Sequence, residues 1–308
     1  MFRVKPEIVA VDLHPDYFST NFGKNLGIKT VQIQHHHAHI ASCMAEHGLD
    51  EKVIGVSFDG TGLGTDGHIW GGEFLTCDLN DFERFTHFEY IPMPGGDSVT
   101  KEPWRSAIAY LYNIYGDDFK NLDLDFLKNI PITKVDLIIE ALKKNINAPL
   151  SSSCGRLFDA VSALINLCTV SKFHAEAPMR LESIADITVQ ESYPFEISEI
   201  VSFKPTISKI VDDLKHGVSL PVISAKFHNT VIGVMLAVAE KIRIKTGLNK
   251  VVLSGGSFQN AILLGKSELL LTQKGFEVFS HQLVPSNDGG IALGQLAIAA
   301  KRRSLGLI

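Results

Sequence analysis

VIGVSFDGTGLGTDGHIWGGEFLTCD, Val53 to Asp78, sets the architecture of this chain. Val53–Phe58 is a short, mostly apolar run bounded by turn residues, the pattern of a buried strand. Asp59–Gly67, DGTGLGTDG, is predicted to be a tight glycine-rich turn, and His68–Asp78 returns as the partner strand. The same strand pattern recurs upstream at Ile8–Val11 and Lys29–Ile33. It recurs downstream at Lys250–Ser254, which ends in Gly255-Gly256, and at Glu277–Phe279. Between and around these lie helical stretches. They are His36–His47, stopped by Gly48, then Glu102–Tyr115, Thr133–Asn145, Gly155–Leu167 and Pro178–Ala185, with Pro178 at the first helical position. Val222–Thr246, Asn260–Thr272 and Gly290–Arg302 follow. Glycine-tipped strand pairs mixed with long helices predict an α/β fold of two lobes with a cleft between them.

The composition fits that class. The chain has 308 residues, 45% of them hydrophobic and 20% charged, which excludes general disorder. Its net charge of −5 supplies no basic excess to coat a phosphate backbone, so no nucleic-acid partner is expected. The four cysteines, Cys43, Cys77, Cys154 and Cys168, form no CxxC pair, which argues against a disulfide scaffold and a zinc finger. The first apolar run, Ile8–Val11, is too short for a signal peptide. Val231–Ala239 and Ile291–Ala300 are too short to cross a bilayer, which needs about 20 residues. A soluble cytoplasmic protein without a membrane partner is expected.

Five segments carry candidate chemistry. In QHHHAH, Gln34–His39, four histidines fall within five positions. His35 and His39 are spaced i, i+4 and share one helical face, a good start for a divalent metal that would take a carboxylate from elsewhere. The alternative is a buried histidine cluster without a metal. In FDGTGLGTDG, Phe58–Gly67, glycines let the backbone approach a phosphate while Asp59 could hold a cation; an ordinary hairpin turn fits the spacing equally well. LSGGSFQN, Leu253–Asn260, places a strand end beside a helix start, where nucleotides commonly sit, though plain strand–helix connections look the same. In PSNDGGIALGQ, Pro285–Gln295, Asn287 or Asp288 could cap the closing helix, or Asp288 could face the cleft. CGRLFDA, Cys154–Ala160, carries Asp159, which could bond a ribose or simply decorate a helix.

Taken together, VDLHPDYFST, QHHHAH, DGTGLGTDGHIWGGE, MPGGD, EPWR, SSSCGRLFDAVSAL, KFHNT, LSGGSFQN and NDGGIALGQ occur in an order that resembles the C-terminal TsaD-like domain of the HypF carbamoyltransferases, from residue 6 to about 300. The resemblance implies an actin/sugar-kinase-like (ASKHA) two-lobed fold with ATP or AMP in the cleft. It implies transfer of a carbamoyl group from carbamoyl-adenylate to the C-terminal cysteine thiol of HypE, for the cyanide ligands of [NiFe]-hydrogenases. It makes His35, His39 and Asp288 ligands of a divalent metal (Fe, Zn or Mn), with Asp59 at or beside it, and puts His35, His39 and Asp59 at the chemistry. Asp159 and Glu182 would face the ribose, Gly255, Gly256 and Asn260 the nucleotide, and Gly60, Thr61 and Gly62 its phosphate.

The resemblance also sets limits. The domain's opening strands should precede Pro6, so residues 1–50 are expected to be a remnant of the first lobe, with the closing helix, 286–308, packing back on it. Residues 51–285 would be the second lobe with a helical insertion, the whole chain being one TsaD-like domain. The donor would come from a YrdC-like domain acting in trans. FHAEAPMRLE, Phe173–Glu182, departs from the family form at Glu176 and Arg180 and alters the charge near the ribose. Two enzymes could share the site: a threonylcarbamoyl transferase acting on tRNA, opposed by the net charge and the MPGGD and EPWR pair, and an O-carbamoyltransferase acting on a small hydroxylated metabolite. A third reading is a non-catalytic fragment that binds nucleotide or partner only.

Overall fold

The structure is a computed structural model and describes residues 5–308. In chain order, β1 (Ile8–Asp12), α1 (Phe18–Lys24), β2 (Lys29–Ile33) and α2 (His35–Glu46) open the fold. β3 (Val53–Leu63), β4 (Ile69–Cys77), β5 (Phe82–His87) and β6 (Ile91–Pro92) form most of a sheet. Next come α3 (Ser98–Lys101), α4 (Trp104–Tyr115), α5 (Asp125–Lys128), α6 (Ile132–Lys143), β7 (Leu150–Ser151), α7 (Cys154–Leu164) and α8 (Glu176–Ser183). β8 (Glu196–Ile197), β9 (Val201–Ser202), α9 (Lys204–Lys215), α10 (Leu220–Thr246), β10 (Lys250–Ser254), α11 (Ala261–Gln273), β11 (Glu277–Ser280) and α12 (Ile291–Ser304) complete it.

The seven-stranded sheet runs β11-β10-β3-β4-β7-β6, with β5 on the other part of β4. β3 is central. It pairs parallel with β10, Val56 opposite Leu253, and antiparallel with β4, Val56 opposite Phe74. Val53, Ile54, Val56 and Phe58 are fully buried, as a strand covered on both faces requires. α4, α7, α10 and part of α11 supply the apolar layer on one face, and Ile40, Cys43 and Met44 of α2 pack on the other. β1 and β2 form a separate parallel pair. α12 lies along α2 and touches both of these strands.

Three local expectations are corrected. Asp59–Gly67 is not one tight turn: β3 continues to Leu63, and its register with β4 breaks between Phe58 and Gly62. The turn proper lies beyond, where Gly64 N–H donates to His68 O at 2.8 Å. The break is a bulge that takes Asp59, Gly60 and Thr61 out of the ladder and frees them for the cleft. Pro178 stands at the third, not the first, position of α8, where a missing N–H is still harmless. α10 extends over 27 residues and contains an apolar window long enough to cross a membrane, but 67% of that window is buried inside the fold.

Candidate active site

α2 begins where Gln34, in extended conformation, accepts the His37 N–H on its side-chain oxygen at 2.8 Å. This cap fixes His35 as the first helical residue and places His39 one turn further on the same face. Both rings are buried. His35 Nδ1 meets Asp12 Oδ2 at 2.8 Å, so Nε2 is the ring atom presented to the cleft. His35 Nε2 lies 3.4 Å from Asp59 Oδ2 and 3.5 Å from Asp288 Oδ1; His39 Nε2 lies 3.5 and 3.4 Å from the same two atoms.

Each carboxylate is aimed by its own scaffold. Asp59 turns its other oxygen to the Gly256 N–H at 3.0 Å, which ties the β3 bulge to the end of β10. Asp288 is left free because Asn287, not Asp288, caps the turn before α12, accepting the Gly289 N–H at 2.9 Å. Ser42 of α2 donates to Gly290 O at 2.8 Å and locks that turn beside the histidines.

These four side chains fit a divalent metal. The candidate donor atoms all lie within 4.8 Å of one another. Neither His35 Nε2 nor His39 Nε2 has a hydrogen-bond partner, although both are enclosed; orphaned buried polar atoms of this kind are costly. Ligands on one tetrahedral ion with bonds of about 2.0–2.2 Å lie roughly 3.3–3.6 Å apart, and all four His–carboxylate separations fall in that interval. Burial opposes charge on His35 and His39, yet the surrounding carboxylates raise both pKa values, that of His35 well above the usual range. Burial pushes Asp59 up, but the two histidines hold it well below an ordinary carboxylate, and they lower Asp288 as well.

Beside the cage opens a cleft of about 610 Å³. Asp59, Gly60, Thr61, Glu182, Gly256, Asn260 and Asp288 line it, as do Arg156, His174 and Ala175. Ala175 is held at φ +58°, a left-handed conformation uncommon outside glycine, at the entrance to α8.

Other expected residues stand elsewhere. Gly62 does not face the phosphate side. It packs beneath the histidines, where a Cβ would meet His35 Cδ2 and His36 Cε1 at 2.6 Å each. Gly255 has φ +104° and runs against the β3 backbone, a Cβ there meeting Phe58 O at 2.2 Å, so its role is close approach of chains. Asp159 does not line the cleft; it is buried and ion-paired to Arg156 at 3.0 Å. Glu182 and Asn260 do line it, while also capping α11 through the N–H groups of Ala261 and Leu263. The glycine amides at the end of β10 are not free donors, since Gly255 N–H bonds Ser286 O and Gly256 N–H bonds Asp59. Glu176 and Arg180, the two family departures, pair with each other at 2.6 Å. Asp12 was missed: its signal was a carboxylate at the end of a buried strand, in VDLHPD.

Comparison with known proteins places this site in a family. Residues 55–295 match the model "Carbamoyltransferase, Kae1-like Domain, second subdomain", and residues 1–46 match "HypF Kae1-like domain". The chain belongs to the HypF Kae1-like domain family. It is 34% identical to the carbamoyltransferase HypF of Synechocystis over 98% of this chain and 41% of that protein. It is 32% identical to a HypF homolog of Cupriavidus necator over 98% of this chain and 79% of that protein. A full-length HypF solved in a phosphate- and nucleotide-bound form superposes with TM-score 0.93 at 45% identity, covering 98% of this chain and 48% of that one. HypF of T. kodakarensis gives TM-score 0.86 at 29% identity, covering 96% and 40%. The α/β fold is thus that of the corresponding part of HypF. The chain spans about two fifths of the length of the Synechocystis HypF.

Proposed function

We propose that this domain transfers a carbamoyl group from carbamoyl-adenylate to the C-terminal cysteine thiol of HypE. The observation that carries this is the cage of buried His35, His39 and Asp59 with exposed Asp288, which opens directly onto a cleft large enough for a nucleotide. In the reaction the thiolate sulfur attacks the carbamoyl carbon, a C–S bond forms, and the bond from that carbon to the phosphate oxygen breaks. The electron pair leaves with AMP, and the thiol proton goes to solvent.

Fe, Zn or Mn would suit two imidazoles and two carboxylates, and a bound ion of this kind supplies Lewis acidity that offsets negative charge on oxygen. The chain's own residues do the rest. Asp12 orients His35, and Gly256 orients Asp59. The bulge at Asp59–Thr61 and the wall formed by α7 and α8 hold the adenylate, so that an entering tail meets the carbamoyl carbon in one fixed orientation. The cysteines do not serve as acceptors here: Cys43, Cys77 and Cys154 are buried and burial raises their thiol pKa values, Cys154 to about 12. Donor would come from a YrdC-like domain, and the reaction would take place in the cytoplasm.

The test supplies carbamoyl-adenylate, formed by a YrdC-like domain in trans, together with HypE, and follows the tail cysteine by mass spectrometry. Carbamoylation that depends on this chain supports the reading. Transfer to tRNA or to a hydroxyl acceptor instead, or none at all with intact metal and donor, would defeat it.

A further inference from the structure

The loop that carries Asp288 to the cage has little of its own to hold it. Residues 281–287, between β11 and the turn before α12, form neither helix nor strand. Gln282, Leu283 and Pro285 are exposed, Leu283 by 91%, so these side chains do not anchor it in the core. The Asp288 side chain is itself 65% exposed. Its place beside the histidines therefore depends on where the backbone of this loop lies.

That backbone is gripped from α2. Glu46, the last residue of the helix, accepts the N–H groups of Gln282 and Leu283 on Oε1 at 2.9 and 2.7 Å, and that of Val284 on Oε2 at 3.3 Å. Among the described residues it is the acceptor for all three. Its side chain is 7% exposed. Burial opposes its charge, yet the three N–H groups hold the carboxyl below the usual carboxylate range. His281 Nδ1 lies 3.3 Å from Glu46 Oε2, and His281 Nε2 meets Ser254 Oγ at 2.8 Å, which joins the same grip to the end of β10.

α2 itself gains nothing from this carboxylate. A negative charge in the last turn faces the negative end of the helix dipole, and no basic residue stands in that turn to offset it. The face of the helix accounts for its placement instead. His35, His39, Ser42 and Glu46 follow at spacings of four, three and four residues, so they share one side of α2. That side meets Asp288 at the two histidines, Gly290 O at Ser42, and the N–H groups of Gln282, Leu283 and Val284 at Glu46.

We infer that Glu46 is the positioning residue for Asp288: by binding three successive N–H groups it fixes the 281–287 loop against α2 and so sets the distance from Asp288 to His35 and His39. This rests on the metal reading of the cage and adds to it a residue that touches none of the four candidate ligands. Glu46 is a charged acceptor for three donors at once, a stronger hold than neutral hydrogen bonds would give.

The experiment measures Zn²⁺ affinity of the full chain by competition with a chromogenic chelator, for wild type, E46A, E46Q, D288N and the double variant E46A/D288N. Amide hydrogen exchange of the metal-free proteins is followed at residues 282–284. E46A should bind Zn²⁺ about 10- to 100-fold more weakly, the range for removing a group that orients a ligand. E46Q keeps one acceptor oxygen and should recover part of the loss. Adding E46A to D288N should cost little further, because Glu46 acts through Asp288; a merely structural role makes the two losses multiply. Exchange at 282–284 should quicken in E46A while α10 stays protected, which serves as the control for folding. Should E46A not fold, E46Q and E46Q/D288N carry the same comparison. Wild-type Zn²⁺ affinity in the Glu46 variant, or losses that multiply in the double variant, would overturn the inference while D288N still shows the cage at work. Equal affinity in wild type and D288N would instead defeat the cage reading, and the inference with it.

Discussion

Gly294 of α12 crosses Ala38 of α2 with no room for a side chain: a Cβ on Gly294 would lie 1.8 Å from Ala38 O. The crossing joins the two halves of the candidate metal cage. α2 carries His35 and His39, and the turn leading into α12 carries Asp288. Helices can approach this closely only through a residue without a Cβ, and the contact is to backbone, which cannot rotate away. Gly294→Ala is expected to push α12 outward and take Asp288 with it. Thermal unfolding should show a loss of about 1–3 kcal/mol for overpacking, and metal titration should show weaker binding. Unchanged metal affinity would uncouple the crossing from the site.

Asp12 accepts from His35 Nδ1 and thereby aims Nε2 at the cleft. Partners of this kind hold a ligating imidazole in orientation and raise its basicity. Asp12→Asn keeps the shape and removes the charge. It should lower metal affinity by about 10- to 100-fold, read by competition with a chromogenic chelator, with the unfolding midpoint of the metal-free protein little changed. A variant that binds metal as wild type does would show that the Asp12 contact is structural only.

Two glycines in the last four residues of β3, Gly60 and Gly62, are expected to respond differently to substitution. Gly62 lies under the His35 and His36 rings, whereas Gly60 has only Arg156 within reach, at 3.8 Å. Gly62→Ala should therefore displace His35 and reduce metal retention, while Gly60→Ala should leave metal retention intact. Equal metal content in both variants, measured by elemental analysis, would contradict the placement of Gly62.

Acid should destabilise the fold through two other histidines. Burial lowers His37 and His228 to about 4 each. His37 Nε2 is 2.7 Å from Asp78 O, and His228 bridges Ser224 O and the Asn260 amide at 2.8 and 2.9 Å. Both are neutral in the folded chain, so the unfolded chain binds more protons as pH falls below about 6.5. Their stabilisation is fully present above that pH and is lost as pH falls towards 4, at roughly 1.4 kcal/mol per unit for each group. Urea unfolding between pH 7 and 4 checks this: His228→Gln should flatten the slope, and an unchanged slope would remove His228 from the account.

Much of the site was legible in the residues because it depends on spacing. The i, i+4 histidines share a helical face wherever that helix starts, and Gln34 makes it start at His35. Asp288 remained ambiguous in the sequence, since Asn287 and Asp288 are both good caps; only the Asn287–Gly289 bond resolves which one is free. The glycine stretch after Phe58 reads as a turn, but a bulge spends the same flexibility inside a longer strand. Gly62 and Asp159 were assigned to ligand contacts that their packing does not support, because contacts with His35 and Arg156 arise from tertiary approach and leave no periodic trace. Asp12 lies 23 residues before His35 and meets it only because β1 and β2 pair in parallel.

Metal content of the purified chain, determined by elemental analysis for wild type and for His39→Ala alongside carbamoyl transfer, bears most directly on the cage. A near-stoichiometric divalent ion in wild type, with ion and transfer lost together in His39→Ala, is the expected result. Wild-type transfer rates in a His39→Ala protein that holds no metal would contradict the account.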